Sequence, residues 1–454
     1  MQVEQRSIEF IPENERYGSP KRLLTIWFSS NLQVTTLVVG TLGIVGGLNL
    51  LWTFIALMIG TIIGTIFMAL HSAQGPKLGV PQMIQSRAQF GVIGAGFPLF
   101  IVFISYVLFT AANGVIMRDS IKAMIPLSDN EAIIGFGVIT LIIAFIGYEF
   151  IHKLGAILTV LSGVIFAIVA VMAMKVNLPV NAWTTEAAGF KSATFMLVVS
   201  QAASWTLGFG PYVADYSRYL PKDSSDKQVF WYSYVGNLLG STLIMFLGAL
   251  LAAGYKDMSA GIASNPGGAI ANMFGGASTV IYFIIIAGVL QINVLNLYSG
   301  YMSFITIFSG FKGMNQITQK TKFIIMALVA AAATAIALGT QYNFFEYFTD
   351  ILIAQIYFLV PWSAINLVDF YAVRDGNYSV KDIFDVNGIY GKYNWATIFI
   401  YISAVIICIP FMQLSFYVGP IAKSVGADIS WMPALFAPGL FYFLYLKMKL
   451  QKAA

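Results

Sequence analysis

Between Arg22 and Lys77 the chain runs 54 residues without a formal charge. A bilayer core takes about 20 apolar residues of helix. The stretch is therefore long enough for two spans, with Gly46-Gly47-Leu48-Asn49 as the turn between them. The pattern recurs and predicts twelve spans, over roughly 23–46, 49–71, 93–117, 132–150, 154–174, 192–214, 228–254, 278–306, 323–340, 346–369, 394–416 and 429–446. The apolar runs are continuous rather than alternating, which predicts helices and excludes a barrel. The expected fold is all-α and polytopic: one transmembrane domain over 23–450 after a polar tail over 1–22. That tail carries Glu4, Arg6, Glu9, Glu13, Glu15 and Arg16 and lacks a short apolar core before a small-residue cleavage site, so no cleavable signal is expected.

Composition agrees: 58% of residues are hydrophobic and 10% charged, whereas soluble domains run near 25% charged. An even span count with the N-terminus inside places 19 of the 25 Lys and Arg residues in cytoplasmic segments, among them Lys77, Arg87, Arg218, Lys320, Lys322 and Arg374. Basic residues resist translocation, so both termini are expected in the cytoplasm and the protein in the cell membrane. The net charge of +5 is scattered loop by loop, which argues against a nucleic-acid partner. Cys408 is the one cysteine and reads as a small buried hydrophobe.

Transporters bind solute where helices unwind at the membrane midplane. Span 1 reads Asn31-Leu-Gln33-Val-Thr-Thr-Leu-Val-Val-Gly40-Thr-Leu-Gly43, and span 6 reads Ser204-Trp205-Thr206-Leu-Gly208-Phe209-Gly210-Pro211-Tyr212. Both carry polar and glycine positions mid-span, five spans apart, which suggests spans 1–5 repeated inverted as spans 6–10 with two C-terminal helices appended. Pro211 makes span 6 the stronger expected break, because proline removes a donor and clashes with the preceding turn. Glycine and proline in membrane helices also serve packing, and that reading stays open.

A broken helix exposes backbone amides and carbonyls to a cavity, which suits a polar, neutral solute. Tyr106 and Phe109 in span 3 and Trp205 and Phe209 in span 6 are candidate stacking surfaces; each can equally be core. Span 8 carries Gln291, Asn293 and Asn296 on neighbouring turns. Carboxamides donate and accept on one edge, which matches a planar heterocycle with ring nitrogens and carbonyls; helix-to-helix hydrogen bonding is the alternative.

Four stretches, Lys77-Leu-Gly-Val-Pro-Gln-Met-Ile-Gln-Ser-Arg-Ala-Gln-Phe-Gly91, Val213-Ala-Asp-Tyr-Ser-Arg-Tyr-Leu-Pro221, Asn293-Val-Leu-Asn296-Leu-Tyr-Ser and Gly426-Ala-Asp-Ile-Ser-Trp431, together resemble the purine/cytosine permease branch of the nucleobase:cation symporter family. The resemblance runs from about Tyr17 to span 12. It implies a leucine-transporter-like five-plus-five inverted repeat, alternating access, and uptake of a nucleobase or related heterocycle driven by a cation. It implies that Phe109 stacks on substrate, that Tyr106 contacts it, and that Thr206 and Gly208 line the unwound part of span 6, with Trp205 one position from the second ring of many relatives. Asn293 and Asn296 match the asparagine pair of the fungal members, and Gln33 in span 1 joins the substrate-facing set.

Sodium-coupled relatives carry adjacent Ser/Thr residues in span 8, where this chain has Gln291-Ile292. A hydrocarbon cannot supply the oxygen a hard cation requires, so proton coupling is favoured over sodium and no cofactor is expected beyond the coupling ion. Intramembrane carboxylates are costly and therefore informative; Asp215, Glu149 and Asp350 are the candidate proton carriers, Asp350 lying deepest along the outer half of span 10, with Glu346 and Asp369 as further options. Asp215 can equally pair with Arg218 at i+3, and Glu149 precedes His152 by three residues.

Two separated histidines, one cysteine and no acidic cluster supply neither a metal centre nor a nucleophile with its base, so no enzyme is expected. Sodium-coupled uptake of allantoin, a hydantoin or a vitamin precursor remains the alternative transport reading, and a passive channel the other class. The expected partners are a small nucleobase-like molecule and the bilayer, with the chain a monomer or weak oligomer.

Overall fold

The computed structural model describes residues 9–146, 148–254, 265–312 and 318–451. Among the described residues the regular structure is helical apart from a ribbon of two antiparallel two-residue strands, β1 (Gln413–Leu414) with β2 (Tyr417–Val418). In order, the helices are α1 (Lys21–Ser29), α2 (Val34–Val45), α3 (Leu50–Ser72), three short turns α4 (Gln74–Leu78), α5 (Gln82–Gln85) and α6 (Arg87–Phe90), then α7 (Gly96–Met124), α8 (Asp129–Ile146) and α9 (Tyr148–Ala173). The second half has α10 (Ser192–Leu207), α11 (Gly210–Ser217), α12 (Asp226–Gly254), α13 (Pro266–Asn272), α14 (Ser278–Lys312), α15 (Gln319–Thr340), α16 (Phe344–Leu367), α17 (Val380–Ile383), α18 (Trp395–Cys408), α19 (Pro420–Val425) and α20 (Trp431–Gln451). Among the described residues, six helices are long and apolar enough to cross a bilayer, and α1 with α2 forms a further, bent pair; shorter apolar helices cover Ile157–Ala173 and Trp395–Phe411.

Close backbone contact organises the first half against α12. With little hydrophobic drive between helices in lipid, small residues at the contact let backbones approach. A Cβ at Gly236, Gly240 or Gly248 of α12 would meet the carbonyl oxygens of Leu24, Phe28 and Leu37 at 2.5, 2.6 and 2.0 Å. One at Gly40 of α2 would fall 1.7 Å from the Met245 carbonyl oxygen, and one at Gly43 2.6 Å from the Thr53 side chain. Gly40 and Gly43 therefore lie inside a regular helix as packing residues, correcting the expectation that they help to break span 1.

One further expectation changes. Span 11 was expected to run to 416, but α18 stops at Cys408 and passes through a 3-10 turn, Ile409–Phe411, into the ribbon. Pro410 cannot continue the α-helical hydrogen bonds. The segment after span 2 packs into the protein: Gln82, Gln85, Ser86, Arg87 and Gln89 are all buried. The N-terminal tail is tied onto this segment. The Ile11 amide donates to the Gly79 carbonyl at 2.9 Å, and Arg16 donates to the carbonyls of Ile11 and Pro76. Burial pushes the Arg16 guanidinium below its ordinary value and the Arg87 guanidinium down to about 10.

Candidate functional site: two interrupted helices

The α1/α2 interruption bends the chain by 65°, and Gln33 within it is extended at φ −142°, ψ 153°. Side-chain amides serve the orphan backbone groups that such a break exposes. Asn31, fully buried, donates through Nδ2 to the Trp27 carbonyl and to Asn237 Oδ1, both at 2.9 Å. Its Oδ1 accepts from Trp205 Nε1 at 2.9 Å. Gln33 Nε2 donates to the Ser30 carbonyl at 2.9 Å. One asparagine thus ties the break in span 1 to α10 and α12.

The α10/α11 interruption is milder. Gly208 and Phe209 keep near-helical angles, φ −56°, ψ −20° and φ −77°, ψ −17°. Pro211 sits in the first turn of α11, where a missing N–H is unneeded. The order expected from proline is therefore reversed: the larger break is the one held by amides in span 1.

Aromatic rings collect where the two interruptions meet. Trp205 lies edge-to-face with Phe109 (6.1 Å, 81°) and with Phe209 (6.2 Å, 88°). Phe209 meets Trp27 at 5.7 Å and Tyr212 at 5.8 Å, and Tyr212 lies 6.2 Å from Tyr106. Phe109 and Trp205 leave no slot between parallel faces, so a planar solute requires one ring to turn. Trp27 is a member of this cluster that the sequence pattern does not reach, while Asn31 and Tyr212 stand in the two quoted spans without a role assigned to them there. The signal for Asn31 is its place with Gln33 as a pair of amides in an apolar run.

The expected polar residues divide. Thr206 donates to the carbonyls of Ala202 and Ala203 in its own helix, and it fills the space beside Gly64 of α3, where a Cβ would meet its Oγ1 at 2.2 Å. It faces packing, not the ring cluster. Asn293 is buried and used on both edges: Oδ1 accepts from Asn113 Nδ2 at 3.3 Å, and Nδ2 donates to Thr140 Oγ1 at 3.3 Å. Thr35 of α2 donates to Asn113 Oδ1 at 2.8 Å, so this chain links the first break to α7, α14 and α8. Asn293 also borders a small cavity with Thr110, Thr140 and Thr334. Asn296 and Gln291 are half-buried.

Gln355 of α16 is a residue the sequence reading did not reach. A Cβ at Gly208 would stand 2.8 Å from its Oε1. Its Nε2 is buried and has no hydrogen-bond partner among the described residues. Gln201 Oε1, two turns earlier on α10, is likewise unpartnered, while its Nε2 donates to Thr349 at 3.2 Å. An unsatisfied buried amide costs about 1–3 kcal/mol, which a polar ligand recovers.

The coupling candidates separate as well. Asp350 accepts from the amide and hydroxyl of Ser415 in the turn between β1 and β2. It fastens α16 to that exposed turn and is not deep in the span, which corrects the sequence expectation. Asp215 accepts from the Gln82 amide at 2.8 Å, joining α11 to α5, and Arg218 donates to the carbonyls of Asp215 and Glu9. The side chain of Glu149 lies outside the described residues. Among the described residues the most enclosed carboxylate is Asp369, fully buried in the π-helical turn Val368–Val373 that ends α16. It accepts from Gln89 (2.6 Å), Tyr378 (2.7 Å), Tyr442 (2.8 Å) and Arg374 (3.0 and 3.2 Å).

Residues 10–432 match the family described as "Permease for cytosine/purines, uracil, thiamine, allantoin". The chain is 42% identical over 455 residues to YxlA of Bacillus subtilis, a protein assigned as a purine-cytosine permease, covering 100% of this chain and 98% of that one. The purine-cytosine permease fcyB of Emericella nidulans is 25% identical over 472 residues, covering 98% and 89%. Among solved structures, inward-facing Mhp1 superposes with a TM-score of 0.77 at 16% identity, over 99% of this chain and 96% of Mhp1. Mhp1 as a nucleobase-cation-symport-1 family transporter, closed with bromovinylhydantoin bound, gives 0.74 at 18% identity over 98% and 95%. The chain has that fold and belongs to the nucleobase:cation symporter family, in its purine/cytosine permease branch, as a multi-pass membrane permease and not an enzyme.

Proposed function

We propose that this permease imports a nucleobase, a purine or cytosine, together with a proton by alternating access. The observation that carries the reading is the meeting of ring faces and under-used amides at the two interrupted helices: Trp205, Phe209 and Phe109 beside Gln355 and Gly208. A planar base offers π-faces to the rings and alternating donors and acceptors to the carboxamides. Phe109 and Phe209 supply stacking surface, Trp205 is held by Asn31, and Asn296 and Gln355 read the heterocycle edge. Tyr106 closes the pocket through Tyr212. Asn293 and Gln33 act one step back, holding the helices that carry those groups.

The two interruptions, five spans apart, support twelve spans built as an inverted repeat of five with two appended helices. The bias of Lys and Arg supports cytoplasmic termini in the cell membrane, with the chain acting as a single domain. Proton coupling is favoured over sodium because Ile292 offers no oxygen where a hard cation needs one.

The test is uptake of radiolabelled cytosine, hypoxanthine, guanine, uracil and allantoin into vesicles, with sodium and pH gradients imposed separately. Accumulation of cytosine or a purine on the pH gradient alone is expected. Accumulation on sodium alone overturns proton coupling, equilibration without accumulation overturns the carrier reading, and uptake of allantoin but no base moves the substrate class.

A further inference from the structure

Behind the cytoplasmic end of α3 runs a buried file of side-chain amides that the substrate site does not use. Gln82 Nε2 donates to Gln74 Oε1 (3.2 Å), Gln74 Nε2 to Asn366 Oδ1 (2.9 Å), Asn366 Nδ2 to Gln89 Oε1 (3.5 Å) and Gln89 Nε2 to Asp369 Oδ2 (2.6 Å). Every link points the same way. Asp369, as a carboxylate, can only accept, and that end condition fixes the sense of the whole file.

At the other end stands His71, also fully buried. Gln82 Nε2 lies 3.2 Å from His71 Nδ1, so Nδ1 carries a lone pair and the ring proton is on Nε2, 2.8 Å from Ser363 Oγ. Gln82 Oε1 is buried without a hydrogen-bond partner among the described residues. The ring stacks on Trp362 at 4.7 Å and 15°, a face that favours a cation.

We propose that His71 is the site that takes up the coupling proton, and that the amide file conveys its charge to Asp369. The inference rests on the proton-coupled reading above and names the group that reading leaves open. The proton bonds to the Nδ1 lone pair, imidazole becomes imidazolium, and no other bond is made or broken. Two N–H groups then oppose each other, and turning the Gln82 amide presents the spare Oε1 to Nδ1–H. That turn withdraws the donor from Gln74. Passed along Asn366 and Gln89, it replaces the donor on Asp369 by an oxygen. Asp369 ties the end of α16 to Tyr378 and to Tyr442 of α20, so loss of that donor loosens the attachment of α20 to the end of α16.

The elements packed against this end of α3 carry a defined set of other titratable groups. These are Tyr212, Asp215 and Tyr216 on α11, Lys77 on α4, Asp226, Lys227 and Tyr232 on α12, and Asp369 and Tyr371 on the π-helical turn, followed by Arg374. Lys77 is paired with Asp226 at 2.6 Å and Arg374 with Asp369 at 3.0 Å. Asp215 accepts from the backbone amide of Gln82 itself.

The test compares wild type, His71→Asn and His71→Gln in vesicles. One unit of pH gradient supports about tenfold accumulation per proton. Wild type is expected to reach it, and the variants to lose it while still exchanging labelled base across the membrane at equal pH. Variants that accumulate like wild type overturn the assignment. Wild-type accumulation on sodium alone instead overturns the coupling reading itself, and the inference with it. Should the variants fail to insert, the direct readout is 15N NMR of the full chain carrying His152→Gln, which leaves a single histidine. With nucleobase present, lowering the pH is expected to convert the ring from the Nε2–H tautomer to imidazolium, read from its two 15N shifts; a ring neutral throughout contradicts the proposal.

Discussion

Asp369 and Gln355 lie on the same helix and its continuation, and they are treated in opposite ways. Asp369, at the end of α16, has both oxygens engaged by an amide, two phenols and a guanidinium. Gln355, beside the α10/α11 interruption, keeps a buried N–H without a partner among the described residues. Saturation marks a group that holds the fold together, since each donor removed leaves a buried charge exposed to a low dielectric. A deficit marks a group whose partner arrives from outside. The same contrast separates Asn31 and Asn293, both used on two edges, from the half-buried Asn296.

The contrast is broken first at its saturated end. Asp369→Ala removes the acceptor shared by Gln89, Arg374, Tyr378 and Tyr442; the expected cost is about 3–5 kcal/mol, seen as lost abundance and a lowered unfolding temperature in detergent. Near-normal stability would show that these contacts do not hold the end of α16 in place. Asn31→Ala strands Trp205 Nε1 and Asn237, at a cost of about 1–3 kcal/mol, and uptake should fall with stability. At the deficient end the two effects should come apart. Asn296→Ala and Gln355→Leu are expected to leave insertion and thermal stability unchanged while weakening nucleobase affinity about 10- to 100-fold, the equivalent of one lost buried hydrogen bond each; equilibrium binding of labelled base checks this, and unchanged affinity with correct insertion moves the site away from α14 and α16.

The smallest effect belongs to the surface. Glu13 accepts from Lys222 at 2.7 Å, and that hydrogen bond and charge hold its carboxyl below the ordinary value. A depressed carboxylate stabilises above its unfolded value and loses that contribution as pH falls through the folded one. Glu13→Gln should therefore remove only a slight acid sensitivity of the tail's attachment, measurable as hydrogen exchange at Ile11 and Tyr17, whose amides bond to Gly79 and Tyr219; an equal loss at neutral and acid pH would show that the charge is not the cause.

Much of the scaffold was legible because the bilayer enforces long apolar helices. Leu50–Ser72, Asp226–Gly254 and Phe344–Leu367 begin within a few residues of the expected spans. Both interruptions were visible as polar or glycine positions in apolar runs, yet their relative size was not. It depends on Asn31 reaching Asn237 and Trp205, contacts 206 and 174 residues away in the chain. Pro211 misled because its effect turns on whether it falls inside a helix or in its first turn. Of the site, the rings at Phe109, Trp205 and Phe209 were readable, whereas Gln355 and His71 were not. Nothing in an isolated span tells a satisfied amide from an unsatisfied one, and His71 acquires meaning only when Gln82 folds back onto it.

The central claim is that the base sits at the interrupted helices, between the rings of α10 and α11 and the amides of α14 and α16. Photolabelling the inserted protein with an azide-bearing purine, followed by peptide mapping, tests it most directly. The account predicts adducts within the segments holding Trp205 to Pro211 and Gln291 to Tyr298, suppressed by excess unlabelled base. Suppressible adducts confined to α8 and α15, or to the short turns α4 to α6, would contradict it.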